Sequence, residues 1–171
     1  MPVEWIAEED CEGANEKWLE KFKSGDFSGK SKEDIELFFK AMIDFGKKAE
    51  DDDDLEYNEL IEDAVMQYET LAIFLEVRDS DLKYVQFFTE DEQKIGHYTD
   101  NWKDVAEELG AKSFVQMEMI DEAMKQIMSG NPNTDSFFFA GTLTVDGPIK
   151  LAVLPREWIV TYYEENGIEV D

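Results

Sequence analysis

Histidine and cysteine each occur once in the 171 residues, as His97 and Cys11. Nucleophilic catalysis of the Ser-His-Asp or Cys-His kind would have to recruit His97. That residue falls in a stretch with strand-like alternation and reads as a partly buried strand histidine in preference to a catalytic one. Cys11 lies near the N-terminus, far along the chain from His97. No His/Cys cluster has zinc-like spacing, and no glycine-rich loop of the phosphate-binding type is present. The acidic run Asp51–Asp54 is the remaining candidate. It lacks the spaced ligands and the sixth-position glycine of an EF-hand. It reads as a solvated loop whose charge favours the N-terminus of the helix that follows. The sequence thus predicts no catalytic residue, no metal ligand and no cofactor. An enzyme built on His97 and a nearby carboxylate would require that His97→Ala abolish turnover.

Methionine is more informative. Met117, Met119, Met124 and Met128 fall in one strand–helix unit. An unbranched, polarizable side chain adapts to apolar partners of differing shape. The cluster fits the lining of a cavity for variable hydrophobic chains, and it also fits an ordinary core filled with methionine. Gln86 shares a strand face with Leu82, Tyr84 and Phe88. A buried amide needs partners, so this one either orients a polar ligand head or marks a wet edge of the face.

The elements that position these residues are read from periodicity. Leu71 to Val77 alternates, turns at Asp79-Ser80-Asp81, and is followed by strands over Leu82–Thr89 and Gln93–Thr99. Short turns between them imply antiparallel pairing. Phe114–Met119 is a fourth strand. After Phe137-Phe138-Phe139 the alternation Thr142, Leu143, Thr144, Val145 gives a fifth, stopped by Asp146-Gly147-Pro148. Helical stripes run through Ile35, Phe38, Phe39, Met42 and Phe45, through Tyr57 to Tyr68, through Ile120 to Met128, and from Pro155 past Trp158 and Tyr162. Ser31 with Asp34 has a capping-box spacing. Trp102 to Leu109, closed by Gly110, is a short extra helix. Residues 4–23 read as helical and 24–30 as a linker. That divides the chain into a helical N-terminal extension over 1–30 and a main domain over 31–171. The extension either docks on a partner or caps the core.

Charge narrows the partners. Forty-two acidic residues against sixteen basic ones give a formal net charge of −26. Such a surface repels nucleic-acid backbones and anionic headgroups, and it suits either a high-salt cytoplasm or a basic protein partner. With 43% apolar and 13% aromatic residues the chain can bury a sizeable core. One cysteine allows no intrachain disulfide, which fits a reducing cytoplasm. The N-terminus lacks the charge and apolar run of a signal peptide, and no run approaches the ~20 residues that span a bilayer. The expectation is a cytoplasmic chain without stable membrane insertion.

Three stretches carry a family resemblance. Met119-Ile120-Asp121-Glu122-Ala123-Met124, Ile127-Met128-Ser129-Gly130-Asn131-Pro132 and Phe138-Phe139-Ala140-Gly141-Thr142-Leu143-Thr144-Val145-Asp146-Gly147 resemble the C-terminal half of the sterol carrier protein 2 lipid-binding family. Phe74 to Tyr84 resembles its first hairpin. The likeness spans roughly residues 31–165. It implies an SCP2-like α+β fold: a mostly antiparallel five-stranded sheet packed against helices, with a hydrophobic cavity between. It also implies a non-catalytic carrier of a fatty acid, acyl-CoA, isoprenoid or sterol-like lipid. From the strands, the implied lining is Ile73, Leu75, Val77, Phe88, Val115, Met117, Met119, Leu143 and Val145. From the helices it is Met124, Ile127, Met128, Phe138, Leu151 and Trp158. The helices at 31–50, 120–129 and 155–165 would form the opposite wall. The helix over 102–109 departs from the family pattern, which has a loop there, and would cover or narrow the cavity mouth. The competing reading is an acidic accessory subunit with a collapsed cavity.

Overall fold

The meander expected over residues 71–99 is the centre of one sheet. In the computed structural model, which describes residues 3–28, 32–130 and 135–169, β2 (Leu71–Val77), β3 (Leu82–Phe88) and β4 (Gln93–Tyr98) pair antiparallel in sequence order. Helix α4 (Trp102–Leu109) then carries the chain back. Asn101 caps its start by accepting from the Lys103 amide, and Gly110 ends it at φ 67°, a conformation with little penalty for glycine. That return lays β5 (Ser113–Met119) parallel to β2, and β6 (Leu143–Asp146) pairs antiparallel with β5.

A sixth strand corrects the five-strand expectation. β1 (Val3–Trp5) pairs antiparallel with β4, so the order is β1-β4-β3-β2-β5-β6. The helix expected from residue 4 begins only at Ala14, after a single 3-10 turn at Glu8–Cys11. Three residues are too few to display an alternation. What selects β1 is the edge of β4, and Gly96 in particular. A Cβ there would lie 2.6 Å from Val3 Cγ1 and 2.9 Å from the Trp5 ring. Only a bare backbone lets β1 approach that closely.

Period-two alternation sorts the sheet into two faces. Leu71, Ile73, Leu75 and Val77 pack with α2 (Lys32–Ala49), α3 (Tyr57–Tyr68), α5 (Asp121–Met128) and α8 (Leu154–Glu165). Ala72, Phe74, Val85, Phe87 and Tyr98 pack with Val105 and Ala106 of α4. Helix α4 therefore lies on the face opposite the larger helical layer. It does not cover the cavity described below, and the expectation that it would is corrected by the pleat of β2.

The N-terminal segment is woven into the body. Helix α1 (Ala14–Ser24) packs along α2, and Trp18 is 0% exposed. Trp18 Nε1 donates to the Tyr163 hydroxyl at 3.0 Å, and the Tyr162 hydroxyl donates to Asn15 Oδ1 at 2.6 Å. The chain's first helix is thus tied to its last. The boundary expected at residue 30, the Ser31 cap and the Asn131-Pro132 break lie outside the described residues. No helix among the described residues is long and apolar enough to cross a membrane.

Candidate functional site

Between the sheet and its larger helical layer lies a cavity of about 350 Å³. Its floor crosses five neighbouring strands. Leu143 and Val145 come from β6, Met117 from β5, Ile73 and Leu75 from β2, Phe88 and Gln86 from β3, and Ile95 and Gln93 from β4. With strands about 4.8 Å apart this track is roughly 19 Å long. Phe38, Phe39, Met42 and Ile43 of α2, Tyr57 of α3, Met124 and Ile127 of α5, and Trp158 and Ile159 of α8 close the other side. The three helices expected as the opposite wall all contribute to it.

The cavity reaches the surface beside two short helices, α6 (Asp135–Phe139) and α7 (Ile149–Ala152). Phe139 there is 84% exposed, and Phe138, Ile149 and Val153 are also exposed. Large apolar side chains left open at one rim mark the mouth. Arg156 is the one cationic side chain of the described lining, and its Nη2 lies 3.7 Å from Asp135 Oδ1.

Ten of the fifteen residues expected to line a cavity do so: Ile73, Leu75, Phe88, Met117, Met124, Ile127, Phe138, Leu143, Val145 and Trp158. Val77, Val115, Met119, Met128 and Leu151 are instead buried in solid core. Alternation puts Val77, Val115 and Met119 on the correct face but says nothing about position along the strand. Val77 and Met119 face each other at the end of the β2–β5 pair, and Met119 also stands opposite Leu143. Met128 sits at the end of α5, where its carbonyl accepts from the Tyr163 hydroxyl. Phe38, Phe39, Met42 and Ile43 were missed as lining residues. Their signal was present in the apolar stripe of α2, which reads equally as core. Tyr57 and Gln93 were missed because each is an isolated polar group on an otherwise apolar face. Gln86 does reach the lining.

The groups that nucleophilic chemistry would need stand elsewhere. His97 Nε2 lies 3.1 Å from Glu36 Oε1, and neither residue borders the cavity. Cys11 is buried, and that burial pushes its thiol up to about 11, so the reactive thiolate is scarce at neutral pH. Asp51–Asp54 are exposed between α2 and α3. Among the described residues no group of three His, Cys, Asp or Glu side chains is placed to hold a metal ion. Burial raises the Tyr57 hydroxyl well above its ordinary value and keeps it neutral. The site can therefore bury an apolar body and offer a few uncharged hydrogen-bonding groups.

No protein-family model matches the chain, and no curated protein matches it in sequence. Among solved structures it is similar to sterol carrier protein 2 from Yarrowia lipolytica in its apo form, at 16% identity and a TM-score of 0.41, covering 63% of this chain and 76% of that one. It is also similar to the solution structure of the sterol carrier protein domain 2 of Helicoverpa armigera, at 20% identity and a TM-score of 0.40, covering 72% of this chain and 86% of that one.

Proposed function

We propose that this chain binds a lipid or other acyl-chain ligand in the cavity beneath its sheet and carries it without chemical change. One observation carries the reading: an apolar cavity of about 350 Å³ that crosses five strands and opens at an apolar rim. Ligand sites are concave, mostly apolar and sparsely polar, and this volume falls within their range. The driving force is roughly 0.8 kcal/mol per methylene removed from water. Ten methylenes supply ~8 kcal/mol, near micromolar affinity before ordering costs. A carrier needs no nucleophile, and His97 and Cys11 lie outside the lining. Native mass spectrometry of gently purified protein should find a bound lipid, and a fluorescent acyl probe should bind near stoichiometry. Absence of both would end the proposal.

The net charge of −26 supports a second reading, docking to a basic protein partner. Such docking weakens as salt rises. Retention of a basic partner at low salt only would support it, and no binding at low salt would remove it.

A further inference from the structure

On the β3–β4 side the cavity lining carries polar groups. Gln86 stands opposite Ile95, and Gln93 opposite Phe88. The two amides are therefore diagonal neighbours on the cavity face, about 7–8 Å apart at the backbone. Tyr57 approaches from the helical side. A methyl placed on Gly46 of α2 would lie 3.6 Å from Gln93 Oε1 and 3.5 Å from Tyr57 Cε2. The Gln93 amide and the Tyr57 ring thus both approach the Gly46 backbone, beside Asn58 Oδ1 at 3.2 Å from the same point. All three polar residues line the cavity. None of their side chains has a hydrogen-bond partner among the described residues. Elsewhere in the interior Asn15 and Trp18 find partners at close range, whereas the buried Tyr84 hydroxyl and Asn58 Oδ1 have none among the described residues.

Three uncharged donors and acceptors in an apolar chamber set a chemical preference. An amide both donates and accepts, and so does a neutral phenol. A hydroxyl or carbonyl on a ligand would complete them. A carboxylate placed among them would meet two amides and a phenol with no cationic side chain in the set, which is unfavourable where water is excluded. The one cationic side chain of the described lining, Arg156, is at the mouth and faces Asp135. The net charge of −26 adds a repulsive background for any anionic head.

We infer that Gln86, Gln93 and Tyr57 form a subsite for a single uncharged polar group, so that the ligand class is a neutral lipid bearing a hydroxyl or carbonyl, not a free fatty acid or an acyl-CoA. This inference rests on the carrier reading above. The subsite is a specificity device, because a site built to hydrogen-bond a ligand group penalises ligands that leave its own groups bare.

The test is a competition on the full chain at neutral pH and fixed salt. A neutral fluorescent hydrocarbon is displaced by a long-chain alcohol, by a methyl ester, and by a carboxylate of equal chain length. The alcohol and the ester should bind at least about tenfold more tightly than the carboxylate. Gln86→Leu and Gln93→Leu should each weaken alcohol binding by about tenfold relative to binding of the hydrocarbon probe. A carboxylate that binds as well as the alcohol overturns the inference and leaves the carrier reading standing. So do variants that weaken every ligand alike or none. If the hydrocarbon probe does not bind, the carrier reading fails and the subsite falls with it. The wild-type ligand series needs no variant, so a poorly folding substitution does not spare the inference.

Discussion

Two aromatic regions share the space under the sheet, and they are finished differently. Around Trp18 the interior is solid. Its ring packs against Phe27 and Phe38 with centroids 5.3 and 5.4 Å apart, and its indole N–H, the hydroxyls of Tyr162 and Tyr163 and the Asn15 amide all have partners. A few residues away, Phe38 and Phe39 also form one wall of the cavity. There the side-chain polar groups of Gln86, Gln93 and Tyr57 have no hydrogen-bond partner among the described residues. Aromatic content does not separate the two regions, since both are rich in it. Hydrogen bonding does. The polar groups beside Trp18 are paired, and those three side chains of the cavity lining have no hydrogen-bond partner among the described residues.

The comparison can be broken by substitutions made in pairs. Trp18→Ala should cost the most, about 3–5 kcal/mol, because it opens a void in a packed region and strips a partner from Tyr163. Urea denaturation measures this, and a loss below about 1 kcal/mol would mean the Trp18 region is not the solid one. Tyr163→Phe comes next. It leaves the Trp18 N–H and the Met128 carbonyl unpaired, at about 1–3 kcal/mol. Tyr57→Phe removes a hydroxyl without a described partner and should shift stability by less than about 0.5 kcal/mol. Equal losses for the two tyrosines would erase the distinction between regions.

Overpacking sharpens it further. Ala41, fully buried on α2, has no spare volume, so Ala41→Leu should cost about 1 kcal/mol or more. Met117 lies in the middle of the strand track. Met117→Trp should change stability by less than about 1 kcal/mol and block probe binding, because the ring fills the cavity in which binding is proposed. Retained binding in Met117→Trp would remove the cavity from the account.

The smallest effect at neutral pH belongs to Cys11. Burial raises its thiol from the ordinary 9.0 to about 11 in the folded chain. The folded state therefore favours the neutral thiol, and this contribution is present below pH 9. It is lost as pH climbs from 9 toward 11, since the unfolded thiol ionises first. Tyr57, Tyr162 and Tyr163, raised mainly by burial, add to the same alkaline decline above their ordinary 10.0. Cys11→Ala should make the fall in stability between pH 9 and 11 shallower. An unchanged slope would place the decline wholly on the tyrosines.

Much of this could be read from residue order. The alternation in Leu71–Val77 and Ser113–Met119 is strong enough to name strands and faces, and the stripe from Ile35 to Phe45 names the buried side of α2. The lining was legible where a face was continuous, as at Ile73, Leu75 and Met117. It was not legible where depth decided, as at Val115 and Met119, which share a face with Met117 and are buried in solid core. Tyr57 and Gln93 were invisible for another reason. Both side chains approach the Gly46 backbone from elements far apart in the chain, and no periodicity within either element reports that.

By itself, the order of residues determined which side of each strand and helix is oily, where Gly110 ends a helix, and that the surface is strongly acidic. Those are local properties, set by pleat, pitch and residue type. Only the tertiary structure decided that Val3–Trp5 closes the sheet at Gly96 and that the helices stand off far enough to leave a hollow. A hollow is the gap between the distance separating two layers and the side-chain volume available to fill it. Neither quantity belongs to any one segment, so no periodicity within a segment reports it.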